Sequence, residues 1–243
     1  IKKEIAYEKK TGKKYDTRIK LEFFEHKKIK NKDIKLSFHK GYLKKEDTIF
    51  PFGGISNVET IHCNENGYYS TYKSDRYGFN NPDEEWENTN LEYVLLGDSY
   101  TQGACVNRPN DISSVLRILS NKSVLNLGYS SNSPLIEYAV LREYIEQNVK
   151  NVIWMYYERN DLKGLENELK NKILINYFIN PKFSQNLKNK QFQIDNLINK
   201  IIIREQEQLS KIEIDNLKNR IIKFIKIFRV RLIFNKNRYL MSI

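Results

Sequence analysis

Cysteine, histidine and long apolar runs are scarce in this sequence. Its only cysteines, Cys63 and Cys105, lie far apart in the chain, which excludes a cysteine metal cluster and a framework of several disulfides. We expect two partly buried thiols, and a single bridge between them is the alternative that an exported protein would permit. No apolar run is long enough to span a bilayer as a helix, and no signal peptide is visible at the start.

The sequence begins at Ile1 and not at a methionine. We therefore expect that part of the gene product precedes it and that an export signal or anchor could lie in that part. The compartment stays open, with export or association with a bacterial cell envelope as one option.

Basic residues outnumber acidic ones. The chain has 41 Lys and Arg against 30 Asp and Glu, which gives a formal net charge of +11. Much of the excess is lysine in a background rich in asparagine and isoleucine, a pattern that compositional drift also produces. A basic surface can attract nucleic acid, anionic lipid or acidic glycans. Because no nucleic-acid recognition motif accompanies the charge, we do not expect a nucleic-acid partner.

Three zones follow one another along the 243 residues. Residues 1–90 read as an irregular segment that packs on the core, with a short helix whose apolar anchors are Phe23 and Phe24. Residues 91–161 alternate between apolar runs and amphipathic stretches and form the predicted core. Residues 162–243 are mostly helical and basic, and we expect an insertion or lid, with the core resuming after the chain end.

The middle zone predicts a parallel sheet. Apolar runs suited to strands cover Tyr93–Leu96, Ser123–Gly128 and Asn151–Tyr157, and helical spacing covers Asp111–Leu119 and Pro134–Ile145. Alternating apolar strands and helices are typical of an α/β fold in which helices cover both faces of a parallel sheet. The apolar face of the first helix consists of Ile112, Val115, Leu116 and Leu119.

A basic amphipathic helix is predicted over Ile221–Leu232, where apolar residues recur at steps of three and four. We expect this helix to pack on the body of the protein. The alternative is contact with a membrane surface or with a partner protein.

The three predicted strands deliver Ser99, Gly128 and Asn160 to one edge of the sheet, where ligands of such folds collect. A serine hydroxyl can attack an ester carbonyl once a base removes its proton. Backbone N–H groups and an asparagine amide can then hold the oxyanion. These residues predict acyl transfer, with Ser99 as nucleophile and its own N–H, the Gly128 N–H and the Asn160 amide as donors.

The segment Gly97-Asp98-Ser99 after an apolar strand resembles the first block of the SGNH/GDSL hydrolases. Gly128 looks like the second-block glycine of that family, and Asn160-Asp161 like its third-block pair. The resemblance implies a three-layer α/β/α flavodoxin-like fold and hydrolysis or transfer of an ester-linked acyl group, usually without a metal or other cofactor. Substrates of the family include acetylated sugars, lipids and thioesters, and an acyl group on a bacterial cell-surface glycan is our expectation by analogy.

The chain departs from the family pattern twice. Glu158 stands where the third block usually has glycine, which leaves Asn160 in register. The family's base is a late histidine with an aspartate about three residues before it, whereas His26, His39 and His62 all precede Ser99. We expect that the sequence is a fragment, inactive by itself, whose base lies beyond its last residue.

Other interpretations stay open. His62 is the best substitute base within the chain, and its neighbour Cys63 invites a Cys/His pair. Asp161 and Asn160 together could be a helix cap. Aromatic residues at the strand ends, namely Tyr129, Tyr156 and Tyr157, are expected to serve packing rather than a pocket mouth. The rival function is a non-catalytic SGNH-like module that binds a glycan or a protein partner.

Overall fold

The structure, a computed structural model, describes residues 2–44, 47–146 and 148–208 and the isolated positions 210, 211, 218 and 222. The chain divides into two compact units, Ile1–Ile201 and Ile202–Ile243. The predicted helix over Ile221–Leu232 lies, apart from Ile222, outside the described residues and stays a prediction. Among the described residues, no helix has the length and apolar character needed to cross a membrane.

The first unit contains the predicted parallel sheet. Strands β4 (Asn90–Leu96), β5 (Val124–Asn126) and β6 (Asn148–Trp154) are parallel in the order β5-β4-β6, so β4 is central. Strand β6 begins earlier than the predicted Asn151–Tyr157, because polar residues at its start carry no apolar signal yet pair with the start of β4. The fold is mixed α/β and compatible with a three-layer α/β architecture.

Helices alternate with these strands and continue after the last of them. A four-residue helix, α3 (Ser99–Gln102), comes directly after β4, and α4 (Ile112–Ser120) precedes β5. Helix α5 (Pro134–Tyr144) leads to β6, which is followed by α6 (Glu158–Glu168) and α7 (Lys172–Ile179). A 3₁₀ turn covers Leu187–Lys190, and residues 191–208 are also helical.

The sheet is less covered than predicted. Helix α4 turns its serines Ser113 and Ser114 inward, whereas Ile118 and Leu119 on its apolar side are 66% and 80% exposed. Strand β6 also exposes apolar side chains, with Val152 at 46% and Trp154 at 45%. Strand β6 is therefore incompletely covered by the helices in the described part of the chain.

Side chains close the outer edge of β5. The Asn81 amide donates to the Asn126 carbonyl and accepts from the Asn126 N–H, both at 2.8 Å. Next to it, the Val124 N–H donates to Glu85 Oε2 at 3.1 Å, and the Val124 carbonyl accepts from Arg117. Asn81, Glu85 and Arg117 thus take the hydrogen bonds that a further strand would make.

Residues 1–90 are more regular than predicted. Helices α1 (Lys2–Thr11) and α2 (Lys20–Lys28) precede a second sheet, and Phe23 and Phe24 in α2 are buried as expected. In that sheet β1 (Lys35–Leu36) is parallel to β2 (Glu59–Ile61), and β3 (Thr71–Lys73) is antiparallel to β2. Strands of two or three residues are too short to show the alternation of apolar and polar residues by which a strand is predicted.

A disulfide joins Cys63, just after β2, to Cys105, just after α3. The expectation of two thiols is therefore wrong, and the bridged alternative is the one observed. The bond ties the N-terminal sheet to the segment that follows Ser99.

A buried carboxylate organises the loop that leads to the parallel sheet. Asp75 is inaccessible to solvent and accepts hydrogen bonds from the Tyr77 and Phe79 N–H groups and from the Asn81 and Trp86 side chains. Burial raises the pKa of Asp75 to about 6, against the lowering effect of these four donors.

Candidate active site

Ser99 is the first residue of α3 and follows the tight turn, Gly97-Asp98, at the end of the central strand β4. Gly97 has φ +154°, and a Cβ there would lie 2.0 Å from Thr101 Oγ1, so only glycine lets the chain turn this tightly. Asp98 caps the helix by accepting a hydrogen bond from the Tyr100 N–H at 2.9 Å. Ser99 is half-buried, and neither its Oγ nor its N–H has a hydrogen-bond partner among the described residues.

Gly128, after β5, lies against α3. A Cβ on Gly128 would lie 2.5 Å from Thr101 Cβ and 2.8 Å from the Gln102 nitrogen. The close backbone approach that glycine permits is thus used to pack the loop on α3. The Gly128 N–H donates to Asn126 Oδ1 at 2.9 Å, so the predicted oxyanion donor is occupied by a side chain in this structure. Its role in binding an oxyanion stays a prediction.

Ser131, in the same loop, offers an N–H that the sequence did not single out. It has φ +68° and is exposed, and its N–H has no hydrogen-bond partner among the described residues. The loop lies beside the Ser99 turn, because the Tyr129 N–H donates to the Gly97 carbonyl at 3.3 Å. No sequence motif predicts a serine with a left-handed backbone conformation, so sequence analysis could not identify Ser131 as a candidate donor.

The third strand end places Asn160 in the first turn of α6, and the structure does not describe its side chain. Asp161, in the first turn of α6, is buried, and its carboxylate accepts a hydrogen bond from the Tyr157 N–H at 2.6 Å. Burial, and then the charge of Asp98, raise the pKa of Asp161. The N-cap residue of α6 is Tyr157, so neither Asn160 nor Asp161 occupies the capping position itself, and the predicted role of Asn160 is untested.

Lys40 is buried beside this edge although lysine seldom is. Its Nζ donates to Asn132 Oδ1 at 2.8 Å and lies 4.1 Å from the centre of the Tyr129 ring. Asn132 in turn donates to the Gly97 carbonyl at 3.2 Å. Desolvation lowers the pKa of Lys40 to about 7, and the charges of Glu168 and Glu137 oppose that shift. Nothing distinguishes this lysine in a lysine-rich sequence.

Two buried carboxylates lie around α5. Glu168 accepts hydrogen bonds from the N–H groups of Ser133 and Leu135, at 2.8 and 2.9 Å, and so caps the first turn of α5 from α6. Glu137 is 1% exposed and accepts a hydrogen bond from Trp154 Nε1. Burial, together with the charges of Asp161 and Glu168, raises the pKa of Glu137 to about 7, against the lowering effect of the Trp154 hydrogen bond. This edge of the sheet is consequently rich in carboxylates.

None of the three histidines contacts Ser99. His39 Nδ1 accepts from the Gly41 N–H at 3.0 Å, so the neutral ring carries its proton on Nε2, which lies 3.1 Å from Ser131 Oγ. His62 Nε2 lies 3.0 Å from Ser130 Oγ, and burial lowers the pKa of His62 to about 4. His26 is exposed.

The tyrosines divide between core and surface. Tyr129 is fully buried, which confirms its predicted packing role. Tyr156 and Tyr157 are 49% and 40% exposed, so the packing expectation is wrong for both. The Tyr157 ring lies 6.0 Å from that of Tyr100, which is 64% exposed, and this aromatic pair adjoins Ser99.

No group of three or more His, Cys, Asp or Glu residues in the described part of the chain is arranged to hold a metal ion. No protein-family model, no curated protein and no solved structure matches the chain. The functional argument therefore rests on the residues described above.

Proposed function

We propose that the chain is part of a serine hydrolase or acyltransferase of the SGNH/GDSL type, with a flavodoxin-like α/β/α core, and that Ser99 attacks an ester carbonyl. The observation that carries the proposal is the position of Ser99. It is the first residue of a short helix after the central strand; the residue is half-buried, and its hydroxyl has no partner among the described residues. Loops from both neighbouring strands lie beside it.

In this mechanism the Ser99 Oγ bonds to the ester carbon, and the carbonyl oxygen becomes an oxyanion. The Ser99 N–H, the Gly128 N–H and the Asn160 amide are the proposed donors. For Gly128 this requires that its N–H leave Asn126 Oδ1 when substrate binds. Ser131, whose N–H is already without a described partner, is the donor that requires no such exchange.

The base is the group that the described residues do not supply. His39 and His62 are engaged with Ser131 and Ser130, and neither contacts Ser99. We propose that a histidine removes the Ser99 proton, as the family resemblance implies.

The test is ester hydrolysis by the longest natural form of the protein, measured with p-nitrophenyl acetate and with an acetylated glycan. Ser99→Ala should lower kcat/KM about a thousandfold or more, and should abolish labelling by a fluorophosphonate. Ser120→Ala, which alters a half-buried serine at the end of α4, is the matched control and should leave both unchanged. Hydrolysis that survives in Ser99→Ala would refute the proposed nucleophile.

The second candidate is a non-catalytic module that binds a glycan or protein in the same cleft. The absence of histidine contacts with Ser99 among the described residues favours it. If the longest form neither hydrolyses esters nor reacts with the fluorophosphonate, yet binds a glycan equally well with and without the Ser99 hydroxyl, this candidate replaces the first.

A further inference from the structure

A cavity of about 820 Å³ lies between residues 40–44 and 47–50 on one side and the turn from α6 to α7 on the other. A volume of this order is typical of sites for small ligands. Its walls come from two regions that the proposed mechanism does not use, and its lining combines cations with apolar groups. The lining residues are Lys40, Gly41, Leu43, Lys44, Asp47, Thr48, Ile49, Phe50, Lys170, Asn171, Lys172 and Ile173.

The polar side of the cavity is suited to an anion. Lys170 and Lys172 are exposed, and Lys172 forms no ion pair with a described residue. Among the described residues, Asn167 Oδ1, at 3.4 Å, is the one hydrogen-bond partner of Lys170 Nζ. The Asn171 side chain uses its oxygen to cap α7, and its amide N–H groups have no hydrogen-bond partner among the described residues. The lining carboxylate, Asp47, accepts from the Lys44 N–H at 2.7 Å.

The apolar side is suited to a sugar ring. Phe50 is held in place by Gln185, which accepts from the Phe50 N–H at 2.8 Å and donates to its carbonyl at 3.2 Å. Leu43 and Ile49 continue the apolar wall on the same segment. An aromatic face next to ammonium groups can bind the apolar face of a sugar while the lysines bind its acidic substituent.

The cavity shares a wall with the candidate active site. Lys40 lines the cavity, and its Nζ is bonded to Asn132 in the loop after β5. The neighbouring Gly41 N–H orients His39, which contacts Ser131 in that loop. A ligand in the cavity therefore lies against the segment that holds the loop beside Ser99.

We propose that this cavity binds a sugar unit bearing a carboxylate or a phosphate, and that the ester attacked by Ser99 is carried on such an anionic glycan. The second half of this statement rests on the proposed function. The first half is a binding property that can be measured without catalysis.

The experiment is calorimetric titration of the full chain with glucuronate, glucose 6-phosphate, glucose and inorganic phosphate. Glucuronate or glucose 6-phosphate should bind measurably and glucose should not. The double variant Lys170→Gln/Lys172→Gln should weaken the anionic sugar roughly tenfold, because each partly exposed ion pair contributes a few-fold. The matched control, Lys3→Gln/Lys122→Gln, removes the same net charge outside the cavity lining and should change little.

Phe50→Leu separates ring stacking from charge. It should weaken the anionic sugar several-fold and leave inorganic phosphate unchanged. Preference for glucuronate would identify a carboxylate-bearing glycan, and preference for glucose 6-phosphate a phosphate-bearing one. Equal loss in both double variants, or no binding of either anionic sugar, would overturn the proposal.

The two proposals fail separately. Calorimetric binding that depends on Lys170 and Lys172, without Ser99-dependent hydrolysis, leaves the cavity proposal standing and removes the esterase. Ser99-dependent hydrolysis without binding that depends on Lys170 and Lys172 leaves the esterase proposal standing and removes the cavity proposal.

Discussion

Lys40 and Asn132 lie 92 residues apart in the chain and meet at 2.8 Å between Nζ and Oδ1. The bond places a buried ammonium group from the N-terminal segment under the loop that follows β5. Through the second hydrogen bond of Asn132 it extends to the Gly97 carbonyl, two residues before Ser99. The positioning of the candidate nucleophile thus depends on a part of the chain that carries none of the family motifs.

The buried Lys40 should make stability depend on pH. Its pKa is about 7 in the folded protein against 10.5 as the ordinary value, so the unfolded chain binds more protons between these two pH values. Stability should therefore rise with pH in that window, by about 3 kcal/mol from pH 7 to 9.5. Urea unfolding of the parent and of Lys40→Met at both pH values measures the difference, with the exposed Lys122→Met as control. A difference between parent and Lys40→Met that is flat with pH would contradict this prediction.

The buried His62 should make stability depend on pH in a more acidic range than Lys40 does. Burial holds its pKa near 4, below the ordinary 6.5, so the unfolded state takes up a proton first as pH falls. Stability from this group is present above pH 6.5 and should decline by about 2 kcal/mol at pH 5. We expect His62→Gln to be less sensitive than the parent between pH 7 and 5, whereas the exposed His26→Gln should follow the parent. Parallel curves for the parent and His62→Gln would count against the buried neutral ring.

The disulfide should contribute measurably to stability. The bond between Cys63 and Cys105 closes a loop over a sequence separation of 42, for which chain entropy suggests about 4 kcal/mol. Cys63→Ser/Cys105→Ser should lower the free energy of unfolding by this order, and protein from an oxidising compartment should show no free thiol in Ellman titration. Two titratable thiols in the folded protein would contradict the bridge.

Gly128→Ala should be destabilising, by about 2 kcal/mol or more, because its Cβ would overlap Thr101 and the Gln102 backbone of α3. Gly12→Ala is the control: Gly12 has φ +68°, which an alanine adopts only with strain, but nothing lies within 4 Å of the added Cβ. It should cost about 1 kcal/mol. Chemical denaturation of both variants decides the comparison, and equal losses would mean that α3 moves aside easily.

The parallel sheet could be predicted because buried strands leave continuous apolar runs. Tyr93–Leu96 falls within β4, and the second predicted strand overlaps β5. The exposure of Ile118 and Leu119 could not be predicted. An apolar helix face indicates that the helix packs against something, but it does not say which part of the protein packs there. The second sheet was missed because strands of two or three residues show no periodicity.

At the candidate site, the sequence indicated Ser99 because a motif follows an apolar strand. Lys40 and Ser131 escaped for different reasons. Lys40 is one lysine among many, and only tertiary packing buries it. Ser131 owes its interest to a left-handed backbone that serine rarely adopts, which local propensity does not predict.

The side chains on the outer edge of β5 determine at which edge of the parallel sheet a further strand could pair. With Asn81, Glu85 and Arg117 occupying the hydrogen-bonding groups of Asn126 and Val124, no further strand can add there without displacing them. Among the described strands β6 pairs only with β4, so a fourth strand would have to join on the β6 side. The Asn81 amide, a single side chain, thus occupies the place of a neighbouring strand at Asn126, and the sheet can be extended only at its β6 edge.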